Sequence, residues 1–199
     1  MEISNKELSE FLLEFNKYLT RTIKVVAVGG TALTLLGKKS STKDVDFCFP
    51  EEKDRKLFVD TALKLGYKKQ SPNQLIGNGI IIDTYVNGYI FVVQLPDDYL
   101  SRAIEIRKME KINLYSLDYL DIIITKTARL NKRDDEDIRN ILSSYKVDQN
   151  ELVERYILTM EHSMVRDAKD HLIVLFSIIK DYHPTNELAL KKAEAWSYE

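Results

Sequence analysis

One cysteine, three histidines, one tryptophan and no long apolar run set the first limits on this 199-residue chain. A lone thiol, Cys48, excludes the disulfide framework of a small secreted domain, and it is expected to pack as a small core residue. With no apolar run of membrane length and no leader-like segment at its start, the chain is expected in the cytoplasm. His162, His171 and His183 are spaced nine and twelve apart, which does not put a zinc pair on one helical turn. A formal net charge of -2 argues against a general nucleic-acid coat, though not against a local basic groove. No repeat or low-complexity tract is visible, and an apolar fraction of 44% is enough to build the core of one domain or two small ones.

What is present concentrates in two places. Lys24 to Val28 is a β-branched run of strand length that ends at Gly29 and Gly30, and the stretch from Thr31 to Leu36 then has helical character and stops at Gly37. Strand, glycine turn and helix in this order let the backbone approach a ligand and offer the helix's first N–H groups to a phosphate oxygen. Glycine pairs also end strands for purely geometric reasons, so the turn alone does not decide the matter.

The second place follows at once. Asp44 to Phe49 alternates polar and apolar at its start, so as a strand it puts Asp44 and Asp46 on one face and Val45 and Phe47 in the core. Like charges side by side call for something positive between them, and Mg²⁺ or Mn²⁺ takes such carboxylates together with phosphate and water. An edge strand whose acids meet Lys or Arg is the plainer account. Ile80 to Val86 is a further strongly β-prone run, bounded by Gly77-Asn78-Gly79 and Asn87-Gly88, with a single carboxylate, Asp83, at its centre. Beside the Asp44 strand it completes a three-carboxylate cluster for metal and for the proton of an attacking hydroxyl. On an edge strand Asp83 would simply face solvent.

Further on, Leu117 to Leu130 has apolar residues at helical spacing, with Lys126 and Arg129 together on a neighbouring basic flank that Lys132 and Arg133 extend. Asp134 and Asp137 open the next helix, where acidic residues suit the helix dipole.

An amphipathic helix over Glu7–Leu19 precedes the glycine turn, a helix near Asp54–Leu65 follows the Asp strand, and strands continue to about Val93. After Pro96 the pattern turns helical, with four or five helices from Ser116 to the end. The expected fold class is α+β, a mixed sheet with flanking helices over residues 1–112 and a helical domain over 113–199, with the cleft between them as the site.

Gly-Gly, thirteen intervening residues, then Asp-Val-Asp-Phe and a later strand Asp resembles the DNA polymerase β-like nucleotidyltransferases. Within that superfamily the chain is most similar to the minimal abortive-infection, type IV toxin-antitoxin proteins, on Gly29-Gly30-Thr31-Ala32-Leu33, Ser41 to Phe47, and Lys126 to Arg129 followed by Arg133-Asp134 and Asp137. Lys43 stands just before Asp44, whereas relatives place an Arg earlier in the loop, a part left here to Lys38 and Lys39, and Thr84 follows Asp83 where an apolar residue is more usual.

The resemblance implies transfer of a nucleoside monophosphate from an NTP to an acceptor hydroxyl. In that scheme Asp44, Asp46 and Asp83 hold metal, Asp83 also orients or deprotonates the acceptor, and Gly29, Gly30 and Thr31 cradle phosphates. Lys43, Lys126, Arg129, Arg133 and Asp134 lie about the nucleotide. The implied acceptor is a tRNA 3′ end or other RNA, the implied partner an antitoxin. An antibiotic-type small-molecule transferase and a non-catalytic nucleotide- or partner-binding module are the alternatives.

Overall fold

The computed structural model describes residues 2–198. The chain divides into two compact units, Met1–Ile90 with Asp97–Asp118, and Phe91–Pro96 with Tyr119–Glu199. In chain order the elements are β1 (Ile3–Ser4), α1 (Asn5–Tyr18), β2 (Ile23–Ala27), α2 (Gly29–Leu35), β3 (Ser41–Thr42), β4 (Val45–Phe49) and α3 (Glu52–Lys64). Then come β5 (Lys68–Ser71), β6 (Gln74–Gly77), β7 (Ile80–Val86), β8 (Tyr89–Ile90), β9 (Val93–Gln94), α4 (Tyr99–Arg102), β10 (Ile104–Lys108) and β11 (Ile112–Ser116). Five helices close the chain: α5 (Tyr119–Thr127), α6 (Lys132–Leu142), α7 (Gln149–Glu161), α8 (Ala168–Lys180) and α9 (Glu187–Tyr198).

The first unit is built on a mixed sheet in the order β10-β11-β2-β4-β7-β6-β5, in which the β11–β2 and β4–β7 pairs are parallel. Val45, Phe47 and Phe49 alternate onto one face of β4 and are fully buried. There Phe58 of α3 packs 5.8 Å from Phe47 and 5.1 Å from Phe49, and stacks at 4.5 Å on Phe15 of α1. Burial of these rings, each worth roughly 1.5–3 kcal/mol, fixes which way β4 faces. Once that face is committed to the core, Asp46 and Cys48 must take the other. Burial holds the Cys48 thiol up at about 11, as expected of an inert packing residue.

Two tight turns set the register of the acid-bearing strands. Asn78 and Gly79 have φ of 53° and 74°, and Asn87 and Gly88 have 57° and 72°, the signature of type I′ hairpins. Gly77 therefore pairs with Ile80 and Val86 with Tyr89, and every pairing between β6 and β7 follows by counting outward.

The sequence reading fails between Pro96 and Ser116, where it expected helix. β10 and β11 form an antiparallel hairpin there, and β11 joins the sheet beside β2. The physical reason is period two: Ile112, Leu114 and Ser116 are buried while Asn113 and Tyr115 between them are partly exposed. Residues 113–116, assigned by sequence to the helical half, thus belong to a strand of the sheet.

In the second unit, α5 buries every residue from Leu120 to Thr127, including Asp121 and Lys126. Asp121 is held by Arg155 of α7 through two bonds of 2.6 and 2.9 Å, a bidentate pair deep in the helical core. Among the described residues no helix is long and apolar enough to cross a membrane.

Candidate active site

The parallel pairing of β4 with β7 puts Asp46 directly opposite Asp83. Residues in register share a face, so the two carboxylates are neighbours. On the far side of Asp83, β6 brings Gln74 into register, and its amide Nε2 donates to Asp83 Oδ1 at 2.9 Å. Asp46 is 7% exposed, and Asp83 is half-buried. Burial holds the Asp83 carboxyl above the ordinary carboxylate range; the Gln74 bond opposes this, and the negative charge of Asp44 adds to it.

Asp44 itself precedes β4, in a bend rather than in the pleat. Strand alternation therefore does not govern it. Among the described residues no group of three or more His, Cys, Asp or Glu is gathered tightly enough to hold a metal ion. Of the three carboxylates expected to cluster, Asp46 and Asp83 face one another, and Asp44 is near enough to act on Asp83 electrostatically. The hard oxygens of this donor set suit a divalent cation such as Mg²⁺.

The glycine turn works on the Asp loop more directly than expected. The Thr31 hydroxyl accepts from the Asp46 N–H at 2.9 Å and donates to the Asp44 carbonyl at 3.1 Å. Thr42 donates to the same carbonyl at 3.0 Å, and the Val28 N–H reaches the Asp46 carbonyl at 3.1 Å. Thr31, expected to cradle phosphate, spends its hydroxyl on holding the Asp44-Val45-Asp46 backbone, because α2 lies directly against the start of β4. Gly29 sits at φ 56°, and a Cβ on Gly30 would come within 2.6 Å of Thr42 Oγ1, so glycine is required at both positions. No side chain caps the N-terminus of α2. Lys43 is exposed and, with Asp44, Glu2, Gly79 and Ile81, lines an open cavity of about 420 Å³.

In the helical unit, Lys126 departs from the sequence reading. It is not on an open basic flank but 2% exposed, its Nζ 3.2 Å from Asp134 Oδ1 and 2.5 Å from Asp137 Oδ2. Its aliphatic stem lies among the buried residues of α5, which periodicity on a single helix does not reveal. Asp134 also accepts from Arg129 Nη2 at 2.8 Å and from Asn131 Nδ2 at 2.5 Å, while Asn131 rather than an Asp caps α6. The Arg129 guanidinium lies 3.8 Å over the Phe91 ring, and its buried Nε has no hydrogen-bond partner among the described residues. Phe91 and Leu130 both have positive φ, 54° and 41°, a costly conformation for such residues. Arg133, at the start of α6, is exposed.

Sequence reasoning missed Gln74 and the locking role of Thr42. A signal for Gln74 existed: counting four residues back from Asn78 and four forward from Gly79 across a type I′ turn pairs it with Asp83.

A mixed sheet carrying facing aspartates beside a strand–glycine-turn–helix unit defines a nucleotidyltransferase-type fold. Residues 6–182 match the model of the family described as nucleotidyltransferase of unknown function (DUF6036), and the chain belongs to that family. It is a nucleotidyltransferase, as expected from its sequence. No curated protein sequence matches it. Among solved structures the fold is similar to that of ANT(2″)-Ia in complex with adenylyl-2″-tobramycin, at 13% identity and a TM-score of 0.50, over 88% of this chain and 97% of that one. It is also similar to the solution structure of the antibiotic-resistance factor ANT(2″)-Ia, at 13% identity and a TM-score of 0.52, over 88% of this chain and 96% of that one.

Proposed function

We propose that the chain transfers a nucleoside monophosphate from an NTP to an acceptor hydroxyl and releases pyrophosphate. The in-register Asp46–Asp83 pair, with Asp44 acting on it, carries this reading. Asp44, Asp46 and Asp83 would hold Mg²⁺ or Mn²⁺, with phosphate and water completing the ligand set. A cation bound there supplies Lewis acidity and offsets charge on the phosphoryl oxygens. Asp83, half-buried and with an elevated affinity for a proton, orients the acceptor hydroxyl and takes its proton. Backbone N–H groups at Gly29 and Gly30 receive phosphate oxygens, and Thr31 keeps the aspartate loop in place. Lys43 supplies positive charge for the triphosphate. In the helical unit, Asp134 ties Lys126 to Arg129.

For the acceptor, the motif resemblance supports an RNA 3′ end and a toxin paired with an antitoxin. The shared fold of ANT(2″)-Ia, captured with an adenylylated aminoglycoside, supports a small polyhydroxylated acceptor as the second reading. The test is label transfer from each α-labelled NTP, with Mg²⁺ or Mn²⁺, to total RNA and separately to tobramycin and related amino sugars, beside Asp46→Asn. Label on RNA that the variant loses supports the first reading, and label on the sugar alone the second. Mg-NTP binding with no labelled product in any arm refutes transfer and leaves a binding module.

A further inference from the structure

Thr84 breaks the apolar pattern of β7 at a position that is 1% exposed, and catalysis as proposed makes no use of it. Its hydroxyl donates to the Asn73 carbonyl at 3.0 Å, and its N–H donates to the same oxygen at 2.7 Å. A buried hydroxyl is retained at such a site only if it is bonded, and here it fastens the tip of the β5–β6 hairpin to β7. From α3, Arg55 Nη1 reaches the Pro72 carbonyl and Asn73 Oδ1, each at 3.3 Å. The next residue is Gln74, whose amide lies on Asp83.

We infer that Gln74 is a positioning residue for Asp83, set in place by the Thr84-anchored hairpin tip. A carboxylate's terminal torsion is broad, so an Asp beside other acids turns freely unless one oxygen is tied. Gln74 ties Oδ1 from the strand opposite Asp46, leaving Oδ2 to meet the acceptor or a cation. An amide suits the task because it donates without adding charge, whereas a Lys would neutralise the pair and a Glu would repel it.

This inference rests on the assignment of Asp83 above, and its test separates the two. Gln74→Leu, close in volume, and Thr84→Val are compared with wild type for kcat, KM for NTP, thermal midpoint and Mn²⁺ affinity measured without nucleotide. Loss of an outer hydrogen bond of this kind costs on the order of ten- to a hundredfold. Gln74→Leu should lower kcat by at least about tenfold, leave KM for NTP within about twofold and weaken Mn²⁺ binding about tenfold, with the melting point nearly unchanged. Thr84→Val should show the same pattern at smaller amplitude. Unchanged kcat and Mn²⁺ affinity in Gln74→Leu overturn the inference while leaving the transferase intact. Should wild type transfer nothing, the functional reading fails by itself, and the metal titration alone decides Gln74.

Discussion

Each unit of the molecule gathers a pair of aspartates, and the two pairs are handled in opposite ways. Asp134 and Asp137 close around Lys126, a cation from their own chain, and are buried with it. Asp46 and Asp83 are set face to face across two strands, and the charge of Asp44 makes Asp83 harder to ionise. The first arrangement is electrostatically finished when the chain folds. The second sets like charges side by side on hard oxygens that suit a divalent cation, which is why it is the one proposed for chemistry.

Breaking the second arrangement should have the largest effect. Asp46→Asn is expected to cut transfer by at least about a thousandfold with the fold retained, checked by initial rates and circular dichroism. A variant within tenfold of wild type would remove Asp46 from the chemistry and erase the contrast between the pairs.

Breaking the first should unfold rather than inactivate. Lys126→Met leaves Asp137 without this partner in the helical core, a change worth about 3–5 kcal/mol in denaturant titrations. The double variant Lys126→Met with Asp137→Leu should recover most of that loss, since a buried ion pair is often replaceable by apolar packing. No recovery would mean that the node does more than satisfy itself.

Gly30→Ala sharpens the comparison at the loop that holds the reactive pair. The added Cβ meets Thr42 Oγ1, which cannot turn away without giving up the Asp44 carbonyl. A loss of about 1–3 kcal/mol is expected, partly relieved by Thr42→Ala, with thermal denaturation as the readout.

The smallest effect concerns pH. Because burial raises the folded carboxyl of Asp83 above its ordinary value, its charge costs stability at neutral pH. That cost fades as pH falls from the raised folded value to below the unfolded one. Asp83→Asn should therefore melt slightly above wild type at neutral pH, the gap closing towards acid, while transfer is lost. A gap that widens on acidification would contradict the assignment.

Local pattern made much of the fold legible. The β7 run is bounded by turn dipeptides and was delimited correctly as Ile80–Val86, and the glycine turn between β2 and α2 follows from a β-branched run meeting two glycines. β10 and β11 escaped because five-residue alternations are short beside the helical pattern that follows. In the site, residue types and spacing pointed to the aspartates, but the burial of Lys126, the use of the Thr31 hydroxyl and the approach of Gln74 depend on neighbours supplied by other elements. Periodicity along one element carries no record of such neighbours.

The Asn78-Gly79 turn carries one further consequence, for inheritance. Side chains alternate along β6 and β7, so a single codon inserted or deleted at this turn, where it slips the pairing by one residue, would turn Gln74 and Asp83 to opposite faces while leaving both codons unchanged. A gene for this protein can thus lose its reactive arrangement without any substitution, and a count of residues between Gln74 and Asp83 is as informative about a relative as the identity of either residue.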